Sequence, residues 1–353
     1  MPEHFTVTGL MSGTSLDGVD LACCAFSRGS AGWSFRILAA ATFAYPPDLK
    51  ARLGEAHGWG LDRIRELDLE LGQYFAELIG RFHGQHDLKP MLVASHGHTI
   101  LHNPGKGITF QAGDGRTMAR MTGLTVVNDF RSEDVAQGGQ GAPLVPVGDR
   151  LLFGAYDACL NLGGFANISY DDPAGSRIAY DICPANLALN HLAVRTGMEY
   201  DRDGLLAAAG SIIPGLLERL NGLDYYRLPP PKSLGREWFL EQFVPAVEAY
   251  EACISDRMAT VVEHIASRVS ASLERSGAGT VLATGGGSLN RTLADRIRKQ
   301  SKARIHIPAK RLVQYKEALV FAFLGLLRYL GEVNCLSSVT GGRKDLSAGT
   351  IYK

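Results

Sequence analysis

The chain has 353 residues, 46% hydrophobic and 20% charged, which suits a globular protein of about two domains and excludes disorder, collagen and coiled coil. Its 36 Lys and Arg balance its 36 Asp and Glu, so no basic field draws nucleic acid or anionic lipid, and no local patch stands out. The longest apolar run, residues 318–327, is too short for a bilayer, and Met1-Pro2-Glu3-His4 lacks the start of a leader, so a cytoplasmic protein without membrane contact is expected.

Glycine is in excess, 41 residues or roughly an eighth of the chain against about 7% on average, and it is clustered. Gly13-Thr14-Ser15-Leu16-Asp17-Gly18 lies between apolar residues 5–10 and 19–26, which predicts a hairpin with a polar tip. A helix is predicted over residues 61–82, where apolar residues recur at helical spacing. In residues 95–102, alternation places His96 and His98 on one side. Asp129-Phe130-Arg131 follows apolar residues 124–127, at a strand end. The Gly-rich residues 137–141, with Pro143 and Pro146, form a linker candidate, and the domain change is expected near residues 132–150.

The hairpin grammar returns in residues 158–162, Gly163-Gly164 and residues 165–170, suggesting a duplicated architecture. Helical patterns cover residues 185–196, 204–220 and 255–274, with the stiff run Pro229-Pro230-Pro231 among them. Gly285-Gly286-Gly287 stands between strand-like residues 280–283 and a helical pattern over 289–299. Backbone N–H groups and a helix dipole can there meet an anion or a ribose. Residues 316–329 are apolar nearly all round, predicting a buried helix that packs back across the domain junction. The alternation of strands and helices argues for α/β. The six cysteines form no CxxC pair, so buried thiols are expected and neither a zinc site nor a disulfide framework.

The chain has no P-loop, no GxGxxG opening a βαβ unit and no HExxH, and Asp17 stands where a serine-hydrolase elbow needs glycine. The stretch Gly13-Thr14-Ser15-Leu16-Asp17-Gly18-Val19-Asp20 offers glycines that let phosphate approach the backbone, two hydroxyl donors, and carboxylates that can hold Mg²⁺ through water. The same residues also compose an ordinary hairpin turn, and it is the three glycine clusters together that favour nucleotide binding. Asp181 follows β-like residues 178–180 and precedes a Pro-led helix start, the place for a general base or for a helix cap. His96, His98 and His102 suit polar loop contacts with a substrate better than metal ligation. Arg131 offers a guanidinium to a carboxylate or to a surface ion pair. Lys232 follows the proline run and Glu317 opens the apolar helix; solvation and helix-dipole preference explain them equally well.

Together these residues resemble the 1,6-anhydro-N-acetylmuramic acid kinases of bacterial cell-wall recycling. The similarity runs from Gly9 to Asp20 through Ser95-His96-Gly97, Asn128-Asp129-Phe130-Arg131, Gly138 to Leu144 and Leu160 to Ser169. It continues through Pro230-Pro231-Lys232-Ser233, Gly285-Gly286-Gly287, Glu317-Ala318 and Val339-Thr340-Gly341. Two segments depart from the family. Asp181-Ile182-Cys183-Pro184-Ala185-Asn186 replaces Asp-Thr-Gly-Pro-Gly-Asn, keeping Asp, Pro and Asn, and His96-Gly97-His98-Thr99 replaces His-Gly-Gln-Thr.

The resemblance implies a two-domain actin/hexokinase/Hsp70-like fold, a duplicated ribonuclease H-like α/β arrangement with ATP in the cleft between domains. The expected domains are residues 1–140 and 141–353, with residues 316–353 packing back on the first. The resemblance further implies that Asp181 takes a proton from water, which opens the anhydro bond, and that O6 then receives the γ-phosphoryl group of ATP. Nucleotide contacts fall to Gly13, Thr14, Ser15, Leu16, Asp17, Gly18, Val19, Asp20, Gly163, Gly164, Asn167, Gly285, Gly286, Gly287 and Asn290, with Asp17 near Mg²⁺. Sugar contacts fall to His96, Asp129, Arg131, Asn186, Lys232 and Glu317, and a homodimer is expected. The rival readings are a 1,6-anhydroglucose kinase and a binding protein that closes on ATP without turnover.

Overall fold

The structure is a computed structural model that describes residues 3–30 and 32–353. Twelve strands are described: β1 (Glu3–Ser12), β2 (Val19–Gly29), β3 (Gly32–Phe43), β4 (Leu92–Asn103), β5 (Ile108–Ala112), β6 (Thr125–Asn128), β7 (Ala158–Leu162), β8 (Phe165–Asp171), β9 (Arg177–Pro184), β10 (Thr280–Thr284), β11 (Arg304–His306) and β12 (Thr350–Tyr352). The chain packs as two compact units, Met1–Leu152 with Tyr315–Lys353, and Phe153–Gln314.

The first unit holds a seven-stranded sheet in the order β12-β6-β4-β1-β2-β3, with β5 paired to β4. Strands β1, β2 and β3 form an antiparallel meander, and β4 and β6 then add in parallel beside β1. The predicted first hairpin is present, with Ser12 opposite Val19 and residues 13–18 at its tip. The predicted helix extends over Leu61–His86 and buries Ile64, Leu67, Leu71, Phe75, Leu78, Ile79 and Phe82, one stripe at helical spacing. Helix Lys310–Leu330 starts earlier than its apolar pattern and breaks at Tyr315 (φ −112°, ψ 15°). Beyond the break its apolar surface is buried against the sheet. A Cβ on Gly9 would meet the Ala318 carbonyl and one on Gly325 would meet Ala94, so two glycines let helix and strands touch backbone to backbone.

The second unit repeats the plan in five strands, β11-β10-β7-β8-β9: an antiparallel meander of β7, β8 and β9, with β10 and β11 added in parallel beside β7. One strand order, used twice, is the duplicated ribonuclease H-like arrangement. Helix Ile254–Ser276 buries Met258, Val261, Val262, Ile265, Val269 and Leu273 in the core of this unit and stops at Gly277 (φ +67°).

Several local expectations change. Residues 204–220 form two short helices, Leu205–Ala209 and Pro214–Asn221, because Pro214 cannot continue a helix and instead starts the second. The third glycine cluster leads into a 3₁₀ turn, Gly286–Leu289, and the helix Arg291–Gln300 starts only after Asn290. Residues 137–141 do not hang as a linker: Gln140 donates to the Thr340 carbonyl (2.8 Å) and Gly141 to buried Asp134 (2.7 Å), all within the first unit. Of the six thiols only Cys253 is exposed. No helix among the described residues is long and apolar enough to cross a membrane.

Candidate functional site

In the first unit the tip between β1 and β2 exposes Thr14, Ser15 and Asp17. Leu16 takes a left-handed conformation (φ +56°), and its N–H closes the turn on the Gly13 carbonyl (3.1 Å). A Cβ on Gly13 would touch only Ser15 Oγ, at 3.5 Å, so the chain itself does not demand glycine there and leaves room at the backbone. Gly18 and Val19 belong to the fold: a Cβ on Gly18 would crowd the Phe43 carbonyl (2.8 Å), and Val19 is wholly buried. Asp20 accepts from Thr42 Oγ1 (2.5 Å), and burial raises its carboxyl, helped by the charge of Asp17.

His96 and His98 lie inside β4 and are buried, so the expected loop contacts are strand positions instead. The left-handed Gly97 (φ +72°) between them allows the register shift of β4 against β1. His96 Nδ1 donates to the Gly97 carbonyl (3.0 Å), and Nε2 accepts from Arg131 Nε and Nη2 (3.1 and 2.8 Å), which fixes one neutral tautomer. Burial holds His96 well below the usual histidine range, with the Arg131 charge adding to the effect. Arg131 also donates to the Gly141 carbonyl (2.5 Å), and burial lowers its pKa to about 10 against the attraction of Glu317. Asp129, left-handed at φ +54°, follows β6 and accepts from Ser132 N (3.3 Å). His98 sits 2.8 Å from Ser12 Oγ, itself 2.6 Å from Tyr45 Oη, and burial brings the ring down to about 4.

Glu317 does not open its helix but follows the break at Tyr315. It is exposed, yet the protein around it thins its hydration and, with the charge of Asp20, raises its carboxyl against Lys316 and Arg131. The preceding Lys316 pairs with Asp149 at 2.6 Å, both buried.

In the second unit two of the glycine clusters become one feature. Thr284 of β10 stands beside Asn161 of β7, so Gly285-Gly286-Gly287 leaves the sheet next to the Gly163-Gly164 tip. A Cβ on Gly285 would fall 2.5 Å from Asn161 Oδ1 and 2.7 Å from the Leu162 carbonyl; one on Gly287, 2.8 Å from Asn186 Oδ1. Gly164 and Gly286 have open Cβ positions, with neighbours no nearer than 4.0 and 3.5 Å. Within this unit the fold therefore leaves unfilled backbone at Gly164 and Gly286. Asn290, expected at the nucleoside, caps helix Arg291–Gln300 by accepting from Leu293 N (3.0 Å). Asn186 donates to the Leu162 carbonyl (3.2 Å), and its backbone N–H reaches the Gly163 carbonyl (3.0 Å), which joins it to the glycine cluster.

Asp181 does not end its strand: β9 continues to Pro184 and the next helix, Asn186–Ala193, begins after Ala185. The register skips Ile182, since Asn167 pairs with Asp181 and Ala166 with Cys183, and this bulge re-aims the strand beside Asp181. Asp181 accepts from Leu234 N through Oδ2 (2.9 Å), and among the described residues Oδ1 has no hydrogen-bond partner. Burial raises the carboxyl above the usual aspartate range, partly offset by Leu234. Lys232 donates to the Tyr225 carbonyl (3.0 Å) and lies over the Tyr225 ring (4.4 Å); burial lowers its ammonium, with Arg275 and Arg268 adding repulsion. Motif reading missed Tyr225 and Leu234, one of which acts through a backbone N–H that no side-chain pattern reveals.

A family model described as anhydro-N-acetylmuramic acid kinase matches residues 5–353. A Nitrosomonas europaea protein named anhydro-N-acetylmuramic acid kinase is 34% identical over 98% of this chain and 98% of its own length. Proteins of the same name from Xanthomonas axonopodis pv. citri and Vibrio cholerae serotype O1 are 36% and 34% identical, covering 98% and 100% of this chain and 97% and 99% of their own.

Proposed function

The chain belongs to the anhydro-N-acetylmuramic acid kinase family, and from that premise we propose that it is an ATP-dependent sugar kinase acting on 1,6-anhydro-N-acetylmuramic acid in cell-wall recycling. The observation that carries this reading is Asp181, one carboxylate oxygen held by the Leu234 N–H and the other open, its affinity for a proton raised by burial. Its Oδ1 takes a proton from water as the water oxygen bonds to the anomeric carbon and the bond from that carbon to O6 breaks. O6 then receives the phosphoryl group, giving N-acetylmuramic acid 6-phosphate and ADP. The ring opening so creates its own acceptor within the site.

ATP supplies the phosphoryl group, and Mg²⁺ neutralises its charge. Within the first unit the open backbone at Gly13, and within the second that at Gly164 and Gly286, leaves room for a phosphate oxygen to approach. We assign the phosphates to Gly13, Thr14, Ser15, Gly163 and Gly164, and the adenosine to Gly285, Gly286 and Gly287. No group of three or more His, Cys, Asp or Glu among the described residues could hold a metal ion, so Mg²⁺ would come with the phosphates and meet Asp17 through water. His96, Asp129, Arg131, Asn186, Lys232 and Glu317 are assigned to the sugar. We place the protein in the cytoplasm, a reducing compartment suited to six free thiols, and expect a homodimer.

ADP release with Mg-ATP is measured on the anhydromuramic sugar, 1,6-anhydroglucose and N-acetylmuramic acid, with product mass read in ¹⁸O-labelled water. One labelled oxygen in a phosphorylated product of the first sugar is expected; turnover of only the second would reassign the substrate. Asp181→Asn should abolish turnover while ATP affinity stays within about threefold. Retained turnover would remove Asp181 from its role.

A further inference from the structure

Among the described residues strand β9 is an edge of its sheet, so the backbone groups of Asp181 that face away from β8 meet no described strand. One segment meets them. Tyr225 Oη donates to the Asp181 carbonyl (2.5 Å), the Lys232 carbonyl accepts from Asp181 N (3.1 Å), and Leu234 N donates to Oδ2 (2.9 Å). The segment is braced on itself, because Lys232 Nζ donates to the Tyr225 carbonyl and stacks on the Tyr225 ring. That ring packs in turn on Trp238 (5.4 Å) and Tyr226 (5.7 Å).

We propose that Tyr225 is a positioning residue for Asp181: its hydroxyl pins the edge strand so that the Leu234 N–H stays on Oδ2 and Oδ1 alone is presented to the reacting proton. The inference rests on the reading of Asp181 as the base. Burial, and then the charge of Asp181, push the Tyr225 phenol above the usual tyrosine range, so it remains a donor wherever the carboxylate is ionised. Tyr226 differs. Its hydroxyl lies 2.9 Å from His264 Nε2, a buried ring that also meets Asn221 (2.8 Å), within the core of the unit.

The test compares Tyr225→Phe with Tyr226→Phe in the full-length protein, measuring kcat, KM for both substrates, the pH profile of kcat/KM and Tm. Tyr225→Phe should lower kcat about tenfold with each KM within about twofold, and move the acid limb upward by about 0.5 pH as Oδ2 loses part of its donor. Tyr226→Phe should lower Tm without moving the acid limb. If Tyr225→Phe does not fold, Trp238→Phe, which thins the wall behind Tyr225 without touching Asp181, carries the same expectation. An acid limb unmoved in the folded variant, with the loss of rate matching loss of folded protein, overturns the positioning role. Wild-type protein that turns over no sugar, or active Asp181→Asn, would instead overturn the reading beneath it.

Discussion

Gly285→Ala asks whether the glycine cluster is set by the backbone of the second unit or by a ligand. Gly285 has φ +81° and ψ 157°, a region essentially reserved for glycine, which costs another residue about 1–3 kcal/mol. The added Cβ would also fall 2.5 Å from Asn161 Oδ1 and 2.7 Å from the Leu162 carbonyl carbon and oxygen. The carbonyl is backbone at the end of β7 and cannot rotate away, so overpacking adds about 1–3 kcal/mol. At about 2–4 °C per kcal/mol for a unit of this size, Tm should fall by at least about 4 °C, and nucleotide affinity with it. Gly286→Ala is the control, because its Cβ would meet only Asn186 Nδ2, at 3.5 Å. It should leave stability within about 0.5 kcal/mol, while raising the KM for ATP about tenfold if the ligand lies against that backbone. Scanning calorimetry and initial-rate titration of ATP read both variants. A Gly285→Ala protein that melts with the wild type would refute the steric reasoning, and an unchanged KM in Gly286→Ala would refute the assignment of the cluster to nucleotide.

Two further outcomes are expected. Arg131→Lys should raise the KM for the sugar about tenfold and leave that for ATP unchanged, because a lysine cannot serve both His96 Nε2 and the Gly141 carbonyl; equal effects on the two substrates would contradict it. Asp68 accepts from Gly113 N (2.7 Å), and its carboxyl is raised to about 6, by burial and then by the charge of Asp114. A carboxyl raised on folding binds its proton more tightly when folded, so its contribution to stability falls as pH rises from about 4 to 6 and stays low above. Asp68→Asn should therefore be more stable than wild type at pH 8, by about 1 kcal/mol after solvent screening, and lose that advantage by pH 4. A gap that is constant with pH would show that ionisation of Asp68 is not responsible.

How far the site could be read in advance depended on whether a residue acts locally. The hairpin tips were legible because glycine reaches turn conformations that other residues avoid and short polar side chains bond their own backbone, so between apolar runs they mark a turn. Asp181 was legible as a residue type, but its place inside β9 was not, since the bulge at Ile182 exists only in the pairing with β8. His96 and His98 read as loop polar residues because their burial depends on neighbouring strands. The partnership of His96 with Arg131 joins side chains 35 positions apart. Tyr225, 44 positions from Asp181, left no pattern at all.

Composition, periodicity and glycine placement by themselves determined an α/β chain with two glycine-tipped hairpins and a buried C-terminal helix, because these depend on local sterics and on which faces must leave water. The tertiary structure alone decided that the second and third glycine clusters are one feature and that residues 137–141 are stitched to Asp134. It also decided that the edge of β9 is pinned by residues far along the chain. Such arrangements follow from parallel register and from hydrogen bonds between distant segments, whose partners are chosen by the packing of whole sheets and not by neighbours in sequence.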